Sequence, residues 1–348
     1  MNGSEILMFV IFNAFVLFML FLDLKVIDRK SHEVKFREAT LWSVFWIVLA
    51  IGFYFLIRSH GEWIHGISSI EDIQGKISKY HQPVDITGLS YEEALTLYKN
   101  NLSLEYITGY IIEKTLSVDN LFVMIMIFYA FGVQKKYYKE VLFWGILGAL
   151  IMRFIFIFGA AAVISRFEWV LYVFGAFLVY TGIKMFADRN KEENKIDIGK
   201  HPVVKFAAKY LRVYPKFIGN RFYIKKPHRK FYFTPLFIVV LVIEFSDVIF
   251  ATDSVPAIFS ITQDPYIVYF SNIFAILGLR SLFFLLLNFI NRFHYLKHGL
   301  AILLTFIGLK LIFDHWLKEW GFTTTHSLIV VLSVLVISMV ISIMFPKK

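Results

Sequence analysis

Two stretches of this chain set acids among residues that are otherwise almost wholly apolar. Leu104–Phe131 carries Glu105, Glu113, Asp119 and the amide Asn120, with Ser117 between them. Phe233–Phe259 carries Glu244, Asp247 and Asp253, with Ser246 and Ser254 beside them. Carboxylate, amide, hydroxyl and carbonyl oxygens suit hard divalent cations, with Mg²⁺, Ca²⁺ and Mn²⁺ the natural set. The chain has no cysteine, and neither stretch has a histidine, which argues against copper, cadmium and zinc. Met124 and Met126 are soft donors that would favour manganese over calcium, but methionine at helical spacing is ordinarily packing. On an ideal helix Glu113, Ser117 and Asn120 share a face with Asp119 offset, and Asp247 and Asp253 lie about 120° apart. One ion therefore need not engage every acid.

The elements that must position these groups follow from composition. Of 348 residues, 58% are hydrophobic and 18% charged, against roughly 45–50% and about 25% in soluble domains. With a mean hydropathy of +0.64, this excludes disorder and disfavours a soluble enzyme. Stretches long enough to cross a hydrocarbon core of about 30 Å fall at Ile6–Leu22, Leu41–Ile57, Leu104–Phe131, Val141–Ile164, Trp169–Ala187, Phe233–Phe259, Tyr266–Ile290, Gly299–Phe313 and Ser327–Phe345. The expectation is an all-α polytopic membrane protein of about nine transmembrane helices. The first stretch lacks a preceding basic residue and a small-residue cleavage site, so it is not read as a cleaved signal. Lys and Arg crowd alternate loops, above all residues 188–232. That bias orients the N-terminus outside and the C-terminus inside a bacterial plasma membrane. It also absorbs the net charge of +10, so a basic loop facing lipid headgroups needs no nucleic acid. Within the outside loop, Ser90 to Glu93 reads as a capping box opening a short helix that leads into the third stretch.

An acid at membrane depth costs about 2.5–3.5 kcal/mol on insertion scales. Glu105 is placed at the outer interface; the other five acids together cost on the order of 12–17 kcal/mol. Arg153 and Arg280, each in the middle of an apolar stretch, are the charge-compensating partners. Two arginines for five acids leave carboxylates for protons, water or a cation. Pro256 cannot donate to the carbonyl of Thr252, which predicts a kink or break beside Asp253.

Two blocks of three stretches also resemble each other. Ser-Val-Asp119, Arg153 and Gly-x-Lys184 match Ser-Asp247, Arg280 and Gly-x-Lys310, with 65 and 63 residues between the outer landmarks. Three crossings per block imply opposite insertion, the inverted repeat common in secondary transporters. The organisation read from this is 1–100, two leading helices and an outside loop; 101–187, repeat one; 188–232, the basic loop; 233–317, repeat two; and 318–348, a last helix.

The segments Gly109–Val123, Glu244–Ala257 and Asn272–Leu282 resemble three signatures of the TerC family of bacterial integral membrane proteins, in its Alx-like branch, related to the LysE-type transporter superfamily. The resemblance implies a multi-pass plasma-membrane protein that exports Mn²⁺. It also carries over Asp119, Asn120, Asp247 and Asp253 as ion ligands. Glu105, Glu113, Glu244, Ser117, Ser246 and Ser254 are then outer or proton-carrying groups, and Arg153 and Arg280 balance charge. Oxygen chemistry alone leaves Ca²⁺ and Mg²⁺ open. No nucleotide-binding signature occurs, so coupling to protons or to the membrane potential is expected, with no resident cofactor and no catalytic residue. The alternative is a membrane scaffold that delivers metal to exported proteins without moving it. An intramembrane aspartyl hydrolase lacks the glycine-rich setting such enzymes require.

Overall fold

A computed structural model of the chain describes residues 3–27, 36–164, 213–214, 218–219, 221–226, 230–289, 295–322 and 324–345, with scattered positions between 166 and 183. The helices run α1 (Gly3–Ile27), α2 (Phe36–His60), α3 (Glu62–His65), α4 (Ile70–Lys79), α5 (Tyr91–Ala130) and α6 (Tyr138–Ile164). After the hairpin β1 (Tyr223–Lys226) and β2 (Lys230–Phe233) come α7 (Pro235–Phe259), α8 (Pro265–Leu277), α9 (Leu279–Phe289), α10 (Leu296–Ile312), α11 (Asp314–Glu319) and α12 (Thr324–Met344). The chain is helical, as its composition requires. Among the described residues three runs are long and apolar enough to cross a membrane: Glu5–Leu22, Phe36–His60 and Lys135–Ala160. The bent pair α8–α9 makes a fourth. Helices also stand at the other expected stretches, except Trp169–Ala187, most of which lies outside the described residues.

The ends of these helices are written locally. Ser90 Oγ and its backbone N–H both donate to the Glu93 carboxylate, at 2.7 and 3.0 Å, closing the expected capping box. The helix it opens is not short. α5 continues for 40 residues, about 60 Å at 1.5 Å per residue, roughly twice a bilayer core. Its first turns pack on α4, which has its own capping box between Ser69 and Asp72. Asp264 accepts the Tyr266 N–H and Pro265 follows it, together starting α8. The hairpin, which composition did not signal, ends at Thr234. There Thr234 Oγ1 donates to the Arg221 carbonyl at 2.6 Å and sets the entry to α7.

Packing sorts the helices into two classes. Only 28% and 22% of the apolar windows of α1 and α2 are buried, and their exposed faces carry Ile6, Leu7, Val10, Phe18, Val48 and Phe55. Every residue of α8 from Tyr266 to Leu277 is buried. A helix that is apolar on all sides belongs inside a bundle, and α8 sits there against α5, α6 and α2. The rings of Phe12, Phe53, Phe270 and Phe274 interlock at that centre. The acidic helices α5 and α7 pack against each other in this interior.

The helix break is not where Pro256 predicts it. α7 runs through Asp253 and Pro256 to Phe259 without interruption. Pro256 lies in the last turn, where its missing donor removes a single hydrogen bond. The interruption falls at Gly278, where α8 and α9 meet at a bend of 41°. Lys114 of α5 fills the notch: its Nζ donates to the Ala275 carbonyl at 3.0 Å and lies 2.7 Å from where a Cβ of residue 278 would be. Lys310 of α10 does the same at the end of α7, donating to the Ser260 carbonyl at 2.9 Å. A cation at a helix C-terminus satisfies orphan carbonyls and opposes the negative end of the helix dipole.

Gly278→Leu should therefore force Lys114 or Trp46 aside and destabilise the protein by about 1–3 kcal/mol, the usual cost of overpacking. Gly52→Ala, with open space around it, should be neutral or gain up to about 1 kcal/mol of helix stability. Thermal unfolding of the purified protein in detergent reads both. Equal melting temperatures for Gly278→Leu and the parent would contradict the close approach.

Candidate cation-binding site

Four helices meet at Arg153. The side chain is fully buried on α6, and its Nη1 donates to Glu113 Oε1 on α5 at 2.5 Å and to Asn272 Oδ1 on α8 at 2.6 Å. Its Nε stands 3.7 Å from Asp247 Oδ2 on α7. Asn272 closes the ring by donating from Nδ2 to Glu113 Oε2 at 3.2 Å, and Ser117 Oγ donates to Glu113 Oε1 at 3.3 Å. Glu113 and Asn272 are 0% exposed and Asp247 is 2% exposed. Glu113 and Arg153 come from α5 and α6, and Asp247 and Asn272 from α7 and α8, more than 90 residues further along the chain.

The electrostatics of this hub are unequal. Glu113 takes the short contacts of the guanidinium, a hydroxyl and an amide, whereas neither Asp247 oxygen has a hydrogen-bond partner among the described residues. One guanidinium faces the two carboxylates, and Lys114, next to Glu113 on α5, adds a second positive charge that acts on Glu113. Asp247 is thus the carboxylate of this group left without a hydrogen bond among the described residues, and a buried acceptor in that state is costly. Ser254 Oγ, seven residues beyond Asp247 and so on the same face of α7, is also buried without a partner among the described residues.

The other expected site residues divide. Asn120 is buried on the Glu113 and Ser117 face of α5. Glu244 is half-buried, and its carboxylate lies so close to Gly148 of α6 that a Cβ there would overlap it. Ser246 donates to the Val242 carbonyl at 2.8 Å and is satisfied within its own helix. Glu105 is buried within the protein, accepting from Asn101 Nδ2 at 2.8 Å and from Thr262 Oγ1, in the turn after α7, at 2.6 Å. Eight residues place it about 12 Å along α5 from Glu113, apart from the hub. Arg280 is buried at the start of α9, beyond the Gly278 break. The side chains of Asp119 and Asp253 lie outside the described residues. Among those described, no three His, Asp or Glu side chains converge as a metal cage.

Two residues at the centre went unassigned on sequence grounds. Asn272 bridges the ion pair, and Lys114 holds the helix break; both stand in the signature segments. Lys114 is the one basic residue of its apolar stretch, and Asn272 an amide in a helix otherwise almost all apolar. Those oddities were the available signals.

Removing the arginine leaves two carboxylates buried without it. Arg153→Gln should cost about 3–5 kcal/mol, the usual penalty for breaking a buried pair, and Glu113→Gln added to it should restore much of the loss. Thermal unfolding of the single and double variants checks this. A double variant no more stable than the single one would contradict the pairing.

Residues 98–348, which include every member of the hub, match the Integral membrane protein TerC family. The chain is 42% identical over 307 residues to a membrane protein of Myxococcus xanthus, covering 88% of this chain and 83% of that protein. It is 38% identical over 332 residues to Alx of Salmonella typhi, named as a candidate membrane-bound redox modulator, covering 95% and 92%. It is 38% identical over 307 residues to Alx of Escherichia coli K12, which bears the same name, covering 86% and 84%. No solved structure matches. The chain belongs to the TerC family of integral membrane proteins.

Proposed function

We propose that the protein exports a divalent cation, Mn²⁺ first among the candidates, by secondary transport through the interior of its helical bundle. The observation that carries this reading is Asp247: a carboxylate 2% exposed, with no hydrogen bond to either oxygen among the described residues and the Arg153 guanidinium 3.7 Å away. Such a group holds a cation or a proton, and exchange between the two is the chemistry of a coupled exporter. Asp119, Asn120 and Asp253 are the further oxygen donors on the same two helices. Glu113, Glu244 and Glu105 are the acids available for protons. Arg153 supplies positive charge to the site when no ion is in it. The oxygen donors favour Mn²⁺, Ca²⁺ and Mg²⁺ as a class, and the choice of Mn²⁺ within it rests on the family likeness.

The reading places the protein in the bacterial plasma membrane with the N-terminus outside and the C-terminus inside. It is a transporter rather than an enzyme, with the cation and membrane lipid as its partners. The relatives' redox name has no thiol route in this chain, which contains no cysteine. On this reading a redox effect would follow from the ion moved. A scaffold that delivers metal without transporting it is the competing reading, and flux separates the two.

In proteoliposomes an imposed Mn²⁺ gradient should drive Mn²⁺ movement with proton counterflow. Asp247→Asn should reduce the flux by about tenfold or more, equivalent to roughly 1.4 kcal/mol or more of lost interaction, in protein that still folds and inserts. Absence of flux from the parent would sink transport, and undiminished flux in Asp247→Asn would sink the site. The same assay with Ca²⁺ and Mg²⁺ ranks the cargo.

A further inference from the structure

A second set of ionisable groups is buried away from the hub. His65, the last residue of α3, is 1% exposed. Its Nε2 lies 2.7 Å from Asp264 Oδ2, in the turn between α7 and α8, and its Nδ1 lies 3.4 Å from Glu5 Oε1, at the start of α1. Glu5 also accepts from Lys76 Nζ of α4 at 2.5 Å. The second Asp264 oxygen accepts the Tyr266 N–H that starts α8, at 3.0 Å. Tyr80 and Tyr266 enclose the imidazole, each with its ring centroid 5.4 Å away. On α5, Tyr98 and Glu105 feel the Asp264 charge, and Thr262 of the same turn donates to Glu105. The charged neighbours are thus Glu5, Asp264 and Glu105 against Lys76 of α4 and Lys310 of α10, which holds the Ser260 carbonyl of that turn and acts on Glu105.

Both ring nitrogens of His65 face carboxylate oxygens. A neutral imidazole has one N–H and can donate to one of them, whereas an imidazolium donates to both. We propose that His65 is a proton-operated latch: charged, it fastens the turn between α7 and α8 to α1 and to the α3–α4 segment, and neutral, it releases one of those two attachments. The turn it holds joins the helix of Asp247 to the helix of Asn272, so the latch governs how freely the walls of the hub move. The inference does not depend on which ion the hub carries.

Burial alone pushes the imidazole toward its neutral form, but the Asp264 charge and the hydrogen bonds that His65 donates to Asp264 and Glu5 outweigh it. They raise the His65 pKa above its ordinary 6.5. The stability contributed by charged His65 is complete below about pH 6.5 and is lost as pH rises through the raised native value. His81 reaches the same turn at Gln263 Oε1, 3.1 Å away, but is exposed, so it must be separated from His65.

Histidine-selective NMR of the full chain in nanodiscs between pH 5 and 9, assigned by His65→Gln, tests the latch together with thermal unfolding. The His65 resonance should titrate above 6.5 and move down in Asp264→Asn, which keeps the helix cap. The parent should be more stable than His65→Gln at pH 6, with the difference shrinking by pH 9, and His81→Gln should keep that pattern. A His65 titration at or below 6.5 in the parent, or a stability difference equal at pH 6 and pH 9, would overturn the proposal. Should His65→Gln not fold, the response of the ten histidine signals to Asp264→Asn decides it.

Discussion

One guanidinium, Arg153, lies fully buried among four helices, and the interior of this bundle is arranged around its neutralisation. Its contacts with Glu113 and Asn272 draw α5, α6 and α8 together, and Asp247 brings in α7. In water such a pairing contributes little; at low dielectric each member depends on the others, because a charge left alone there is prohibitive. Arg153, with Lys114 beside Glu113, faces the two carboxylates, and of these Asp247 is left without a hydrogen bond among the described residues. On the proposed function, that open carboxylate is where a proton or a cation would bind.

The surrounding architecture encloses that open carboxylate. α1 and α2 present apolar faces outward, while α8, buried along its length, brings Asn272 to the centre. Lys114 and Lys310 occupy the carbonyl ends of α8 and α7, so these two walls of the hub end on tethered cations. The turn between those helices is gripped in turn by His65 through Asp264. Charge is thus managed at three levels in one region: at the hub, at the helix ends and at the connecting turn.

Much of this was legible in the sequence, and the rest was hidden for physical reasons. Apolar runs located the helices, because a bilayer-length element needs a bilayer-length run of residues. Ser90 and Glu93 announced the start of α5 because a capping box is complete within four residues. Proline drew attention to Asp253, but a proline in a final turn disrupts little, and the interruption fell at Gly278, where a lysine from another helix needed room. That reason lies 164 residues away in sequence, so no local pattern contains it. The contacts of His65 with Glu5 and Asp264 span 60 and 199 residues, and the bridge from Arg153 to Asn272 spans 119. Periodicity tells which face of a helix is apolar; it does not tell which neighbour that face will meet. The acids were therefore identified as costly and useful, while the partner of each was not.

The central claim is that Asp247, the hub carboxylate left without a hydrogen bond among the described residues, is where the proposed cation binds. Electron paramagnetic resonance of Mn²⁺ titrated into the purified protein measures this directly, because bound and free Mn²⁺ give distinct spectra. The account predicts a saturable site in the parent protein that is lost in Asp247→Asn and retained in Gly52→Ala. Mn²⁺ binding of equal strength in Asp247→Asn and the parent would contradict it.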